Sequence, residues 1–262
     1  MTRVTGTYTT STTNGESVQA FVPYPLPPTE PTLAMDTLAD LNQQAESALS
    51  RLSAVAGLVP SADWLLHAAV RKEAPLTSQI EGTQATLTDL FDEEAGAAIS
   101  NSDDVQEVTN YLRAFRLVQQ HLRNVQGLPI SVRLLCEAHQ LLMDGVRGAA
   151  KNPGELRRTQ NWIGGTRPGN AAFVPAPPQL VGGLLSDLEK FIHRERGQDG
   201  TRTLPPLVCI ALAHAQFETI HPFLDGNGRI GRLLIAALLE HWHLLPEPLM
   251  YLSGYLKQHQ AK

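Results

Sequence analysis

Between His221 and Arg232 the chain reads His-Pro-Phe-Leu-Asp-Gly-Asn-Gly-Arg-Ile-Gly-Arg, a set of residue types suited to handling a nucleoside triphosphate. Asp225 is a hard oxygen ligand of the kind Mg²⁺ takes, one or two carboxylates together with substrate phosphates. Gly226 and Gly228 free the backbone for positive φ on both sides of Asn227, so that successive N–H groups can converge on an anion. The residues that follow, Arg229 to His241, are strongly helical in pattern. The loop therefore delivers its ligand to a helix N-terminus, where unpaired amides and the dipole favour phosphate. Arg229 and Arg232 are three apart and share a helical face, so both can reach one polyphosphate. His221 is placed to accept a proton from an incoming hydroxyl. An ordinary imidazole pKa of roughly 6.5 leaves it largely neutral at pH 7, as a base must be.

A second constellation lies far upstream, at Thr77-Ser78-Gln79-Ile80-Glu81-Gly82. Pro75 suits the first position of a short helix and Gly82 its C-terminal cap, which puts Thr77 and Glu81 on one face. Taken alone, a helix-ending Glu before a Gly is usually just solvated. The stretch from Asn161-Trp162-Ile163-Gly164-Gly165-Thr166 through Ala172-Phe173-Val174-Pro175-Ala176-Pro177-Pro178 is punctuated by Gly and Pro, which predicts a loop or a hairpin. His241 and His243 stand at i, i+2 and point to different sides of a helix; they fit the C-terminal end of the helix after the loop better than a metal site.

The elements that must hold these residues read as helices. Apolar residues recur at helical spacing from Met35 to Leu58, Asp103 to Gln126, Ser131 to Met143, Gln179 to Arg194 and Leu204 to Thr219, and Ser61 could cap a helix through Trp64 and Val70. Residues 1–33 are rich in Thr, Ser and Pro and read as an extended, partly mobile arm. Strand signals are few.

Composition bounds the partners. The 262 residues are 42% hydrophobic and 18% charged, ordinary for a globular protein. A net charge of −5 gives no general drive toward nucleic acid or anionic membranes, and no direct nucleic-acid binding is expected. There is no run of about 18 apolar residues and no charged-then-apolar leader, so a cytoplasmic protein without a membrane partner is expected. Cys136 and Cys209 lie in apolar helical patterns and fit buried thiols.

The run from His221 to Arg232 resembles the signature of the Fic family (Fido domain), His-x-Phe-x-(Asp/Glu)-Gly-Asn-Gly-Arg-x-x-Arg, with every fixed position filled. Members of that family mostly move AMP from ATP onto a Ser, Thr or Tyr hydroxyl of a protein. The resemblance implies an ATP- and Mg²⁺-using protein adenylyltransferase, a nucleotidyltransferase whose partners are ATP and a hydroxyl-bearing target protein. His221 would be the general base, Asp225 the Mg²⁺ ligand, and Phe223 an anchor of the loop in the core. The segment Gly226, Asn227, Gly228, Arg229, Ile230, Gly231 and Arg232 would bind the phosphates. The upstream motif resembles the family's inhibitory helix, (Ser/Thr)-x-x-x-Glu-(Gly/Asn), here Thr77, Glu81 and Gly82. In the family this Glu pairs with the second arginine, here Arg232, and blocks the γ-phosphate position. Ala172, Phe173 and Val174 resemble the flap, an edge that pairs with an extended stretch of the target. The residues around Tyr251 to His259 resemble a further family helix that helps line the adenine pocket.

The resulting expectation is an all-α, Fic-type helical bundle with a small β-hairpin flap. Its parts would be the arm (1–33), a helical region (34–100) carrying the inhibitory helix (75–82), and a catalytic core (101–262) with flap (161–178) and signature loop (221–232). The same site could run backward, with Glu81 orienting a water to remove AMP, and self-association could gate Glu81 as a homodimer. Two other readings stand beside it: a non-catalytic ATP-binding or interaction module, and a kinase-like phosphotransferase, which Gly226 and Arg229 disfavour.

Overall fold

A computed structural model describes residues 4–56, 62–97, 101–146, 150–194, 204–245 and 248–259. The elements in chain order are strands β1 (Gly6–Thr13) and β2 (Glu16–Pro23), helices α1 (Met35–Ala56), α2 (Ala62–Ile80), α3 (Leu87–Glu94), α4 (Ser102–Arg123) and α5 (Val132–Leu142), a single 3₁₀ turn (Pro168–Asn170), and helices α6 (Pro178–Arg194), α7 (Pro206–Ile220), α8 (Asn227–His241) and α9 (Leu252–Gln258). The all-α expectation holds, and α1 and α4 to α7 match the amphipathic stretches to within a few residues. Helix α2 runs ten residues past Val70, and α3 falls in no expected stretch. Leu58 and Ser61, the expected helix end and cap, lie outside the described residues. No described helix is long and apolar enough to cross a membrane.

The chain divides into two compact units, residues 1–42 with 155–227 and residues 43–154 with 228–262. In the first, α6 turns Val181, Leu185, Leu188 and Ile192 inward, and α7 buries Ile210, Ala213, Phe217 and Ile220. These are helical repeats of one face, and Pro206 suits the first turn of α7, where no amide partner is needed.

Besides the short antiparallel Ile163–Phe173 pairing of the flap, the fold has a longer hairpin that the sequence did not place. Residues 6–23, read as an extended arm, form antiparallel β1 and β2, with Thr13 opposite Glu16. The turn is Asn14-Gly15, both at positive φ (52° and 79°), as a two-residue hairpin turn requires. Val18 and Ala20 of β2 are buried with Val174, which gives the ribbon an inward face. Composition favoured disorder here, but the Asn-Gly turn and that alternation decide the outcome.

In the second unit, α4 buries Val105, Val108, Tyr111, Leu112, Phe115 and Val118, and α5 buries Leu134, Leu135, Ala138 and Leu142. Ser131 caps α5 by accepting from the Leu134 amide at 3.2 Å. Leu233, Leu234 and Leu238 give α8 its core face. Cys136 of this unit is half-buried and Cys209 of the first unit is buried, and the two form no disulfide.

Candidate active site

The loop that carries His221 is made by the end of α7. His221 is the C-cap residue, with left-handed φ 51° and ψ 63°, and its N–H donates to the Phe217 carbonyl at 3.0 Å. A non-glycine residue in this region is strained and needs its surroundings to hold it. Phe223 then turns inward, buried against Phe217 with ring centroids 6.4 Å apart, the anchor role expected of it. Asn227 closes the loop: its Oδ1 accepts from the Phe223 amide at 2.8 Å and its Nδ2 donates to the Phe223 carbonyl at 2.9 Å. Gly226, at φ +74°, supplies the left-handed step between them. Asp225 is exposed, and its Oδ1 accepts from the Gly226 amide at 2.6 Å.

Two expectations change here. The Asn227 side chain is 3% exposed and committed to the loop backbone, so it shapes the loop instead of presenting its amide to a phosphate. Gly228 does not take positive φ; it lies within α8, and glycine is needed there for closeness. A Cβ on Gly228 would collide with Glu81 Oε1 and sit 2.9 Å from Arg232 Nη1.

On α8, the first-turn amides beginning at Asn227 have no intrahelical acceptor, as at any helix start. The two arginines part company. Arg229 Nη1 meets Glu107 Oε2 of α4 at 3.0 Å, with both side chains 3% exposed. Arg232 is 8% exposed; its Nε donates to Thr77 Oγ1 at 2.6 Å, and Nη2 donates to the Thr77 carbonyl at 3.1 Å and to Glu81 Oε1 at 2.6 Å. The Glu81 side chain is 35% exposed. The expectation that both guanidiniums reach one polyphosphate is therefore not met in this form: three residues apart on a helix, they leave toward different neighbours. Ile230 is fully buried and Gly231 is buried too, and both pack α8 into the core.

Helix α2 presents Glu81 at its very end. The helix is longer than the sequence suggested: Pro75 lies inside it and does not start it. Pro75 is buried among Ala74, Thr77 and Ser78, and that packing outweighs the interior penalty of proline. Gly82 is the stop foreseen: at φ +100° it closes a Schellman motif, Gly82 N–H to Gln79 and Thr83 N–H to Ser78. An acid at a helix C-terminus opposes the dipole, and the Arg232 guanidinium offsets that here. Two turns earlier, Glu73 is buried and accepts from Ser253 N–H at 3.1 Å and Ser253 Oγ–H at 2.5 Å. Burial pushes its carboxyl up to about 6, against the lowering pull of Ser253 and the Arg232 charge.

In the flap, Phe173 pairs antiparallel with Ile163, and the Val174 carbonyl accepts from the Phe21 amide of β2 at 2.8 Å. The stretch Ala172–Val174 thus has a neighbour on each side, which limits the edge-pairing role expected of it. On the other side of Ile163 the Trp162 N–H is taken by Asn161 Oδ1 at 2.9 Å, and Gly164 leaves the extended conformation at φ +69°. Ala172 itself is exposed and Phe173 half-buried.

Asp225 fits a Mg²⁺ that arrives with a polyphosphate. It is one exposed carboxylate, and among the described residues no group of three or more His, Cys, Asp or Glu gathers into an all-protein cage. Mg²⁺ is held in just this sparse way when substrate phosphates complete its shell.

Sequence reasoning missed Glu107, Glu73 and Arg157. Glu107 carried a signal: it precedes Tyr111 and Ala114 at helical spacing on a buried face, and an acid in such a stripe must have a partner. Arg157 carried none.

A model described as Fic/DOC family N-terminal matches residues 39–120, and one described as Fic/DOC family matches residues 129–239. The Protein adenylyltransferase Fic of Drosophila erecta is 30% identical over 166 residues, covering 61% of this chain and 30% of that protein. Its counterpart from Drosophila grimshawi is 31% identical over the same length, covering 61% and 31%. The chain thus spans about three tenths of the length of these curated relatives. Among solved structures, a Fic family protein from Desulfovibrio desulfuricans G20 superposes with TM-score 0.65 at 24% identity, over 84% of this chain and 62% of that one. Fic-1 from C. elegans does so with TM-score 0.62 at 20% identity, over 87% and 66%. Identities this low speak for the fold. With both of the family's models matched, together spanning most of its length, the chain belongs to the Fic/DOC family.

Proposed function

We propose that this protein is a self-inhibited protein adenylyltransferase that moves AMP from ATP to a Ser, Thr or Tyr hydroxyl of a target protein. The observation that carries this reading is the Arg232 contact with Glu81 and Thr77, made by the last residue of an unbroken signature. Relatives named protein adenylyltransferase support the reaction class.

The chemistry follows from the residues. The target hydroxyl oxygen attacks the α-phosphorus as the bond to the β-phosphate oxygen breaks, and pyrophosphate leaves. His221 takes the hydroxyl proton, in the role its position at the loop start allows. The α8 first-turn amides offer the developing charge a fixed set of donors. Arg232, once released from Glu81, offers the γ-phosphate a guanidinium. Arg229, sealed against Glu107, fixes the first turn of α8. Asp225, together with the phosphates, would hold a Mg²⁺, which would neutralise charge on the polyphosphate. The target backbone docks along the flap (161–178) at Ala172, Phe173 and Val174, of which Ala172 is the most exposed. In the reverse direction Glu81, still in place, would orient a water against an adenylylated hydroxyl.

Intact-mass spectrometry of wild type, Glu81→Gly and Glu81→Gly/His221→Ala after incubation with ATP and Mg²⁺ tests the proposal. An adenylyl adduct is expected on Glu81→Gly, at trace level on wild type, and absent from the double variant. Equal adducts on wild type and Glu81→Gly would remove the inhibition, and an adduct on the double variant would remove His221 as the base. A phosphoryl adduct would move the chain to phosphotransfer. ATP binding with no labelling of any form, even in cell lysate, would make it a binding module.

A further inference from the structure

We infer that Arg157 is a positioning residue for His221, tying the carbonyl of the proposed base to the carbonyl of Ala176 at the end of the flap. The inference rests on the reading of His221 as the base. Arg157 is 2% exposed. Its Nε donates to the His221 carbonyl at 2.8 Å, its Nη2 to the carbonyls of Ala176 at 2.5 Å and Ile220 at 3.3 Å, and its Nη1 to Thr159 at 3.4 Å. Its own backbone amide donates to the Pro222 carbonyl at 2.9 Å. Three consecutive residues around the base, 220 to 222, therefore hold on to one arginine.

This is an unusual home for a guanidinium. Among the described residues no carboxylate pairs with it, and burial alone brings its pKa down to about 10, which leaves it charged at neutral pH. A buried cation must be satisfied by something, and here the partners are carbonyl dipoles. Two of them, Ile220 and His221, are the last carbonyls of α7, where the helix dipole presents its negative end. The charge is thus matched to a feature that also sets the backbone of His221. That residue holds φ 51° and ψ 63°, a conformation a non-glycine residue keeps only when its surroundings over-determine it.

The planar fork also explains the residue type. Five donors in one plane reach carbonyls from two chain segments together; a lysine offers three donors from a single point and cannot span both. The neighbouring residues act in the same sense: Gln160 Nε2 donates to the Pro175 carbonyl at 2.7 Å, and Asn161 Nδ2 reaches the Phe223 carbonyl at 3.4 Å. The short run 157–161 is stitched to the catalytic loop on one side and the flap on the other.

Arg157→Lys and Arg157→Gln, each made in wild type and in Glu81→Gly, separate positioning from simple stability. By hydrogen–deuterium exchange, amides of 217–224 and of 172–176 should lose protection together, by roughly tenfold or more, while α4 and α5 keep theirs. Self-adenylylation by Glu81→Gly should slow by roughly tenfold or more in kcat, with KM for ATP changed by less than about twofold. Unchanged protection in either segment, or an unchanged kcat, would overturn the inference. Loss of α4 and α5 protection in both variants would overturn it too, in favour of a purely structural arginine. If Glu81→Gly itself forms no adduct, the transfer reading falls, and the exchange pattern still decides whether Arg157 ties the two segments.

Discussion

Arg229 and Arg232 sit three residues apart on α8, both buried and both facing a carboxylate, yet they are in opposite situations. Glu107, the partner of Arg229, is as buried as the arginine itself. Glu81, the partner of Arg232, has about a third of its side chain in solvent and hangs from the last turn of α2. A pair sealed on both sides is strongly destabilised when one member is removed, because the other charge is left without water or partner. A pair with one member in solvent is worth little, since water competes for it. Moreover, Arg232 keeps Thr77 Oγ1 and the Thr77 carbonyl if Glu81 departs. The first pair is architecture and the second is a contact that can open.

The largest effect that follows is on Glu107. Replacing it by alanine should lower the unfolding free energy by about 3–5 kcal/mol, because the buried Arg229 guanidinium loses its carboxylate. Urea unfolding of the isolated variant measures it directly. A loss below about 1 kcal/mol would mean that water reaches Arg229 and that the two pairs do not differ in kind.

A subtler effect belongs to Glu73, the other α2 acid near Arg232, buried where Glu81 is not. Its folded-state pKa of about 6 lies above the ordinary carboxyl value of 4.5 because burial disfavours the charged form. Folding therefore favours the protonated acid. The stability this gives is fully present below pH 4.5 and is lost as the pH climbs through about 6. The gap corresponds to about 2 kcal/mol. Glu73→Gln cannot titrate, so its stability relative to wild type should rise by about that amount between pH 4.5 and 7. A difference that stays constant across this range would place Glu73 in water, in the same class as Glu81.

Much of this was legible in the sequence, for identifiable reasons. The loop from His221 to Arg232 and the cap at Gly82 depend on glycines and short-range hydrogen bonds, and such local chemistry is written in consecutive residues. The helices announced themselves through apolar spacing. What was hidden is long-range. Nothing in the sequence tells that Arg229 turns to Glu107 while Arg232 turns to Thr77, because on a helix the two positions look equivalent. Nor could Arg157 be read: a buried arginine satisfied by carbonyls has no complementary acid to betray it. The hairpin at 6–23 was a different kind of miss. Its Asn-Gly turn was present, but the Thr, Ser and Pro content of the surrounding stretch outweighed it.

The smallest expected effect on stability is also the one that separates holding from folding. Glu81→Ala should change the unfolding free energy by no more than about 1 kcal/mol, as for a pair screened by solvent. The same substitution should raise adenylyl transfer, because the Arg232 guanidinium becomes available to phosphate while Thr77 keeps it in place. Urea unfolding and intact-mass adduct formation on one preparation provide both numbers. A loss as large as that of Glu107→Ala would show that Glu81 is part of the fold's framework. The brake could then not be lifted without loosening α2, and any gain in rate would have to come from a partly unfolded helix. A small loss with a large gain in rate would mean that the contact is a removable stop, set at the end of a helix that stands without it.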